Sequence, residues 1–162
     1  MNFDQDCESL ESYLENLPEH FQQFALQERF TAAHVAKVMP ANWKVALEAF
    51  LEVYHLNATH PQIIKFTGDI NAQTDIYGSH NRAIILFGVP SPHLGKLQDP
   101  QAAIGLIEFI GIDPEKLQIS KEMKPRAYAA EATRQYFNQN LELDCSAVSD
   151  TEMLDLTYLI LG

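Results

Sequence analysis

The amino-acid sequence predicts an α/β fold: a small, mostly parallel sheet of three or four strands with an N-terminal layer of helices. Three observations predict it. Apolar residues in the first third recur at helical spacing, residues 83–87 form a continuous apolar run, and beyond residue 82 short apolar runs alternate with capped helices. Such alternation favours parallel strands joined by right-handed crossovers. A chain of 162 residues, 46% hydrophobic and 20% charged, has the size and composition of one globular domain with a sizeable core. Residues 1–162 are therefore read as a single domain, helical over 1–57 and α/β over 58–162.

The elements follow in order. Phe3, Cys7, Leu10, Leu14 and Leu17 step by four and three along one helical face, and Pro18 closes that helix. A second helix begins near Glu19, with Phe21, Phe24, Ala25 and Phe30 apolar. Thr31 caps a short helix to Met39, and a longer one over residues 42–56 buries Trp43, Leu47, Phe50, Leu51 and Tyr54. Ile64, Phe66 and Ile70 then alternate with Lys65, Thr67 and Asp69, the period of a strand with one wet face. Residues 71–81 are polar and turn-rich, and residues 83–87 read as a central strand covered on both faces.

Asp99-Pro100 starts a helix that Gly111 ends, and its polar stripe of Gln101, Gly105 and Glu108 is narrow enough to predict burial around most of its circumference. Residues 117–120 are a strand candidate. Pro125 opens a helix to about Asn138, with Glu131, Arg134, Gln135 and Asn138 wet. Residues 141–145 are a further strand candidate, and the capping box Ser149-x-x-Glu152 starts a last helix to Leu161.

Charge is concentrated in the two ends. The first 28 residues carry seven acids and the last 28 carry five, with no Lys or Arg in either, whereas the 106 residues between are nearly neutral. A net charge of −11 excludes sequence-independent binding to nucleic acid or anionic membrane. Asp4, Glu8, Glu11 and Glu15 recur at helical spacing, where like charges repel by about 0.2–0.5 kcal/mol per pair. They predict either a solvated face or a docking surface for a basic protein partner.

The N-terminus lacks the basic and apolar regions of a secretory signal, and Cys7 and Cys145 have no CxxC or ligand spacing. Two thiols in a reducing cytoplasm is the expectation, with a disulfide left open.

Sites are less distinct. Residues 88–96 place six residues where a phosphate loop has four, with Leu97 instead of a hydroxyl and with Pro90 and Pro92 removing donors, so no nucleotide loop is expected. As the loop after the central strand it still occupies a ligand position of open α/β sheets. Ser91, His93 and Lys96 there, with Lys121, Lys124 and Arg126 near the start of a later helix, form a candidate anion site. Residues 31–36 resemble the first helix of a helix-turn-helix, but the would-be recognition helix offers Lys44 against Glu48 and Glu52. The six histidines contain no i,i+4 pair and no HExxH, so neither metal nor cofactor is expected. Asp69, Asp75 and His80 lie in one segment, where turn capping explains the acids equally well.

The leading expectation is a cytoplasmic protein-binding or regulatory module that meets a basic partner through acidic terminal helices. The alternatives are a small enzyme or binding protein for an anionic metabolite and, last, a DNA-binding regulator.

Overall fold

Gly78 and Ser79 form a two-residue turn joining β1 (Thr67–Tyr77) to β2 (His80–Phe87), with Tyr77 paired to His80. Gly78 takes φ +51°, and glycine at the first central position is what such a hairpin favours. The computed structural model in which this is seen describes residues 3–22, 25–95, 99–116, 119–120 and 122–160. β3 (Leu156–Ile160) flanks β2 on its other side, and the three strands form an antiparallel sheet in the order β1-β2-β3.

This overturns the mostly parallel sheet. The run at residues 83–87 does lie in the middle strand, but antiparallel to both neighbours. The polar residues 71–77 are the outgoing half of a hairpin, and the apolar C-terminal residues leave their helix early. α7 spans only Asp150–Leu154; its capping box is formed as expected, and extended backbone at Asp155 (φ −80°, ψ 135°) then leads into β3. The strand candidates at 119–120 and 142–145 are irregular, while Leu117 and Gln118 lie outside the described residues.

α5 (Asp99–Phe109) and α6 (Pro125–Leu141) supply the larger core. Ala102, Ala103, Leu106 and Ile107 of α5 meet Ala129, Ala130 and Ala132 of α6, with Phe66, Ile112 and Leu154 closing the cluster. Alanines on the buried face let the two helix axes approach, and Leu106 and Ile107 each contribute about 1.5–3 kcal/mol by burial. Ile104, Phe109 and Ile110 are exposed, so the solvated part of α5 is wider than its polar stripe. A smaller cluster of Val53, Leu56, Ile64 and Ile85 anchors the segment before β1 to the sheet.

The N-terminal helices are shorter than their apolar spacing predicts. α1 (Leu10–Leu14) and α2 (Leu17–Phe21) are separate, and Pro18 sits in the first turn of α2, where its missing N–H is no loss. Leu17 is buried, Leu14 half-buried and Leu10 exposed. Residues 31–39 are not helical, and α3 (Trp43–Glu48) and α4 (Leu56–Thr59) stand where one helix over 42–56 is expected. Trp43, Leu47, Phe50 and Tyr54 are consequently exposed and Leu51 is half-buried.

Candidate active site

α4 is a single helical turn held between two histidines. His55 is its N-cap and His60 its C-cap, the latter at φ −129°, ψ 55°, outside the helical region. On an unbroken helix, five residues subtend about 500°, leaving the two side chains about 140° apart. The break at His60 instead brings the rings to 5.3 Å between centroids, at an interplanar angle of 76°. Buried Leu56 fixes the turn against Val53, Ile64 and Ile85, and Thr59 Oγ1 donates to the His55 carbonyl at 2.7 Å.

Glu52 completes this unit. One carboxylate oxygen accepts from His55 Nδ1, and the other accepts from the backbone N–H groups of Tyr54 at 2.6 Å and His55 at 3.2 Å. Burial works against the Glu52 charge, but the His55 ring and the two N–H groups outweigh it and hold the carboxyl below its usual value of 4.5. With Nδ1–H committed to Glu52, a neutral His55 keeps the Nε2 lone pair for a metal.

A cleft of about 350 Å³ adjoins Glu52, with Leu51 and Val53 on one side and Ile70 and Ala72 of β1 on the other. Its polar groups include Asp69 and His93. A bulge brings Asp69 there: Gly68 pairs with Leu86 and Gln73 with Ile84, so residues 69–72 stand opposite Ile85 alone. Gly68 permits the approach, since a Cβ there would come within 2.4 Å of Val89 Cγ2. Asp69 is 5% exposed. Its Oδ2 lies 3.6 Å from His93 Nε2, and its Oδ1 is buried with no hydrogen-bond partner among the described residues. A hollow of about 360 Å³ beside α6, lined by Glu131, Arg134 and Cys145 among others, contains no histidine.

The residues proposed for an anion site are placed differently. Ser91 is buried and its Oγ accepts from His93 N at 3.2 Å. His93 is turned to Asp69, Arg126 is paired with Asp155, and Lys124 is exposed ahead of α6. Lys96 and Lys121 lie outside the described residues. The described basic groups with partners thus already face carboxylates. Of the acidic stripe, Asp4, Glu8, Glu11 and Glu15 are all exposed, but α1 contains only Glu11. Glu8 accepts from Ser12 Oγ at 2.6 Å, and Glu15 lies over the Gly78 turn.

A family model described as ring hydroxylating alpha subunit (catalytic domain) matches residues 14–122. The chain belongs to that family. No curated protein and no solved structure matches it. Membership overturns the expectation of a protein-binding or regulatory module acting through acidic terminal helices. The matched region contains Glu52, His55, His60, Asp69 and His93, and it leaves out Asp4, Glu8 and Glu11. The helix-turn-helix reading also fails, because residues 31–39 form no helix to precede α3.

For a ring hydroxylating alpha subunit, the donors fit a first-row divalent metal in kind: two imidazoles, one backed by a carboxylate. Among the described residues no group of three or more His, Cys, Asp and Glu is arranged to hold a metal ion by itself, so these residues supply the histidine pair and its outer carboxylate. The sequence signal for the pair is Glu52-x-x-His55-x4-His60. A search for one-face helical spacing passes over it, because the pair depends on the helix ending between its members. No helix among the described residues is long and apolar enough to cross a membrane.

Proposed function

We propose that the chain is the catalytic part of a mononuclear non-haem iron oxygenase acting on ring compounds, with His55 and His60 as iron ligands. The observation that carries this is the histidine pair with Glu52 on His55 Nδ1, inside the region matched by the ring hydroxylating family. Non-haem Fe(II) oxygenases use two histidines and a carboxylate with open positions. Iron held by such a set supplies the activation of dioxygen.

The chain's own residues do the rest. Glu52 fixes the tautomer and the orientation of His55 and raises the donor strength of Nε2. Leu51, Val53, Ile70 and Ala72 offer an apolar wall that takes a ring out of water. Leu56, the buried first residue of α4, anchors the turn that carries the two histidines.

Anaerobic titration of the full chain with Co(II), read by its visible absorption, tests this. One Co(II) per chain with histidine-type bands is expected, lost in both His55→Ala and His60→Ala. Unchanged bands in the double variant, or no uptake at millimolar Co(II), would overturn the assignment.

The word alpha in the family description supports association with other protein chains. Free thiols at exposed Cys7 and half-exposed Cys145 support a cytoplasmic setting. That residues 1–162 form one domain belongs to the same proposal. It is supported by hydrogen bonds from His80 Nε2 to the Tyr13 carbonyl (2.7 Å) and from Thr74 Oγ1 to the Leu51 carbonyl (3.3 Å).

A further inference from the structure

We infer that the cleft beside Glu52 selects ring compounds bearing an N–H or O–H donor, and that Asp69 is the residue that selects them. The inference rests on reading the cleft as the ring site, and it goes beyond that reading by naming the substituent the ring carries. The central observation is Asp69 itself, a side chain 5% exposed in the wall of a 350 Å³ cleft, with Oδ1 buried and unpartnered among the described residues. A buried carboxylate oxygen without a donor costs free energy in the empty cleft and regains it when a ligand brings one.

His93 does not fill that role. Its Nε2 approaches the other oxygen, Oδ2, and at 3.6 Å stands beyond hydrogen-bond reach. The His93 side chain is 58% exposed, so it borders the cleft rather than plugging it. Oδ1 therefore has no donor from His93, and a ligand donor reaches it only as the side chains covering it give way.

The other walls set the rest of the ligand's chemistry. Leu51, Val53 and Ala72 suit the face of a ring. Glu52 stands in the same cleft as Asp69, and no Lys or Arg side chain lines it among the described residues. A ring carrying a carboxylate would meet the carboxylates of Glu52 and Asp69, with His93 already turned to Asp69, which is discrimination by repulsion. A neutral arylamine or phenol places its apolar ring on the wall and donates to Asp69. A charge-assisted hydrogen bond of that kind is worth about tenfold to a hundredfold in affinity.

Titrating the labelled full chain with aniline, phenol, toluene and benzoate, followed by amide NMR at Asp69, Ile70 and His93, tests the inference. Aniline and phenol are expected to bind at least about tenfold more tightly than toluene, with benzoate weakest. Asp69→Leu should erase that preference while keeping toluene binding, since it replaces an unsatisfied polar group by an apolar one. Asp69→Asn preserves the shape and should reduce the preference, so the inference stays testable even if the leucine variant misfolds. Equal affinity for toluene and aniline would mean that Oδ1 stays covered when a ring binds; the ring site would stand and the donor preference would fall. Tightest binding of benzoate would also overturn it. Absence of any shift at these amides with all four probes would remove the ring site along with the inference.

Discussion

Replacing Arg126 by methionine strands a buried carboxylate. Arg126 Nη1 donates to the Phe87 carbonyl at 2.5 Å and to Asp155 Oδ1 at 3.0 Å, and the same oxygen accepts from Phe87 N at 3.2 Å. These bonds tie the end of β2 to α6 and to the residue that opens β3. The Asp155 side chain is 5% exposed and that of Arg126 is 24% exposed. Arg126→Met keeps most of the stem's packing but leaves Asp155 with one N–H as its partner. Breaking a buried pair from one side costs about 3–5 kcal/mol, and the partial exposure of Arg126 places this case near 3. With a urea m-value of about 2 kcal/mol/M, the unfolding midpoint should fall by about 1.5 M. Circular dichroism in a urea series at neutral pH reads this directly. Adding Asp155→Asn removes the stranded charge while keeping an acceptor for Phe87 N, so the double variant should recover part of the loss. A midpoint within about 0.5 M of the parent at unchanged m, or a double variant less stable than the single, would refute the reasoning.

Two further outcomes are expected. Glu52→Ala should weaken Co(II) binding by about tenfold to a hundredfold through loss of the support on His55 Nδ1, with a thermal midpoint close to the parent's, measured by metal titration beside a thermal scan. Asp75 is held below its usual value of 3.8 by hydrogen bonds from the Gln73 amide and the Arg82 guanidinium. A carboxyl depressed on folding contributes stability that is full above its unfolded value and is lost as pH falls through the folded one. The stability gap between the parent and Asp75→Asn should therefore be widest near neutrality and shrink below about pH 4, read from urea midpoints across an acid series.

The legible parts of this fold are those where one residue pattern admits one structure. β2 carries five consecutive apolar residues after Arg82, and α6 begins at a proline and runs through a dense alanine face. The hairpin is harder to see, because Gln73, Thr74 and Asp75 lack the apolar alternation that marks a half-buried strand, although Asp75 pairs with Arg82 across it. Once residues 71–77 are read as turn, the intervening helices look like parallel crossovers. The C-terminal residues 156–161 are apolar without helical or alternating period, and so fit a helix or a strand equally well. Of the site, His93 stands out in the sequence beside Lys121, Lys124 and Arg126, whereas the structure turns it to Asp69. His55 and His60 converge because the backbone leaves the helix at His60, and Asp69 reaches the cleft because β1 bulges there. Both depend on backbone departures that side-chain spacing does not encode.

The bulge also constrains how this strand can change length. Residues opposite one another across a ladder share a face, so Thr67, opposite Phe87, lies on the face that Thr74 and Ile76 occupy beyond the bulge, opposite Ala83 and Asn81. The four residues 69–72 thus move this face from odd-numbered to even-numbered positions. Removing two of them would preserve that parity and leave Asp75 beside Arg82. Removing one would invert it on the far side of the bulge, turning Thr67 to the other face, because the two-residue turn keeps Asp75 opposite Arg82. Insertions and deletions in this stretch are therefore tolerated by whole pleats rather than by single residues, and the wall of the cleft inherits that rule.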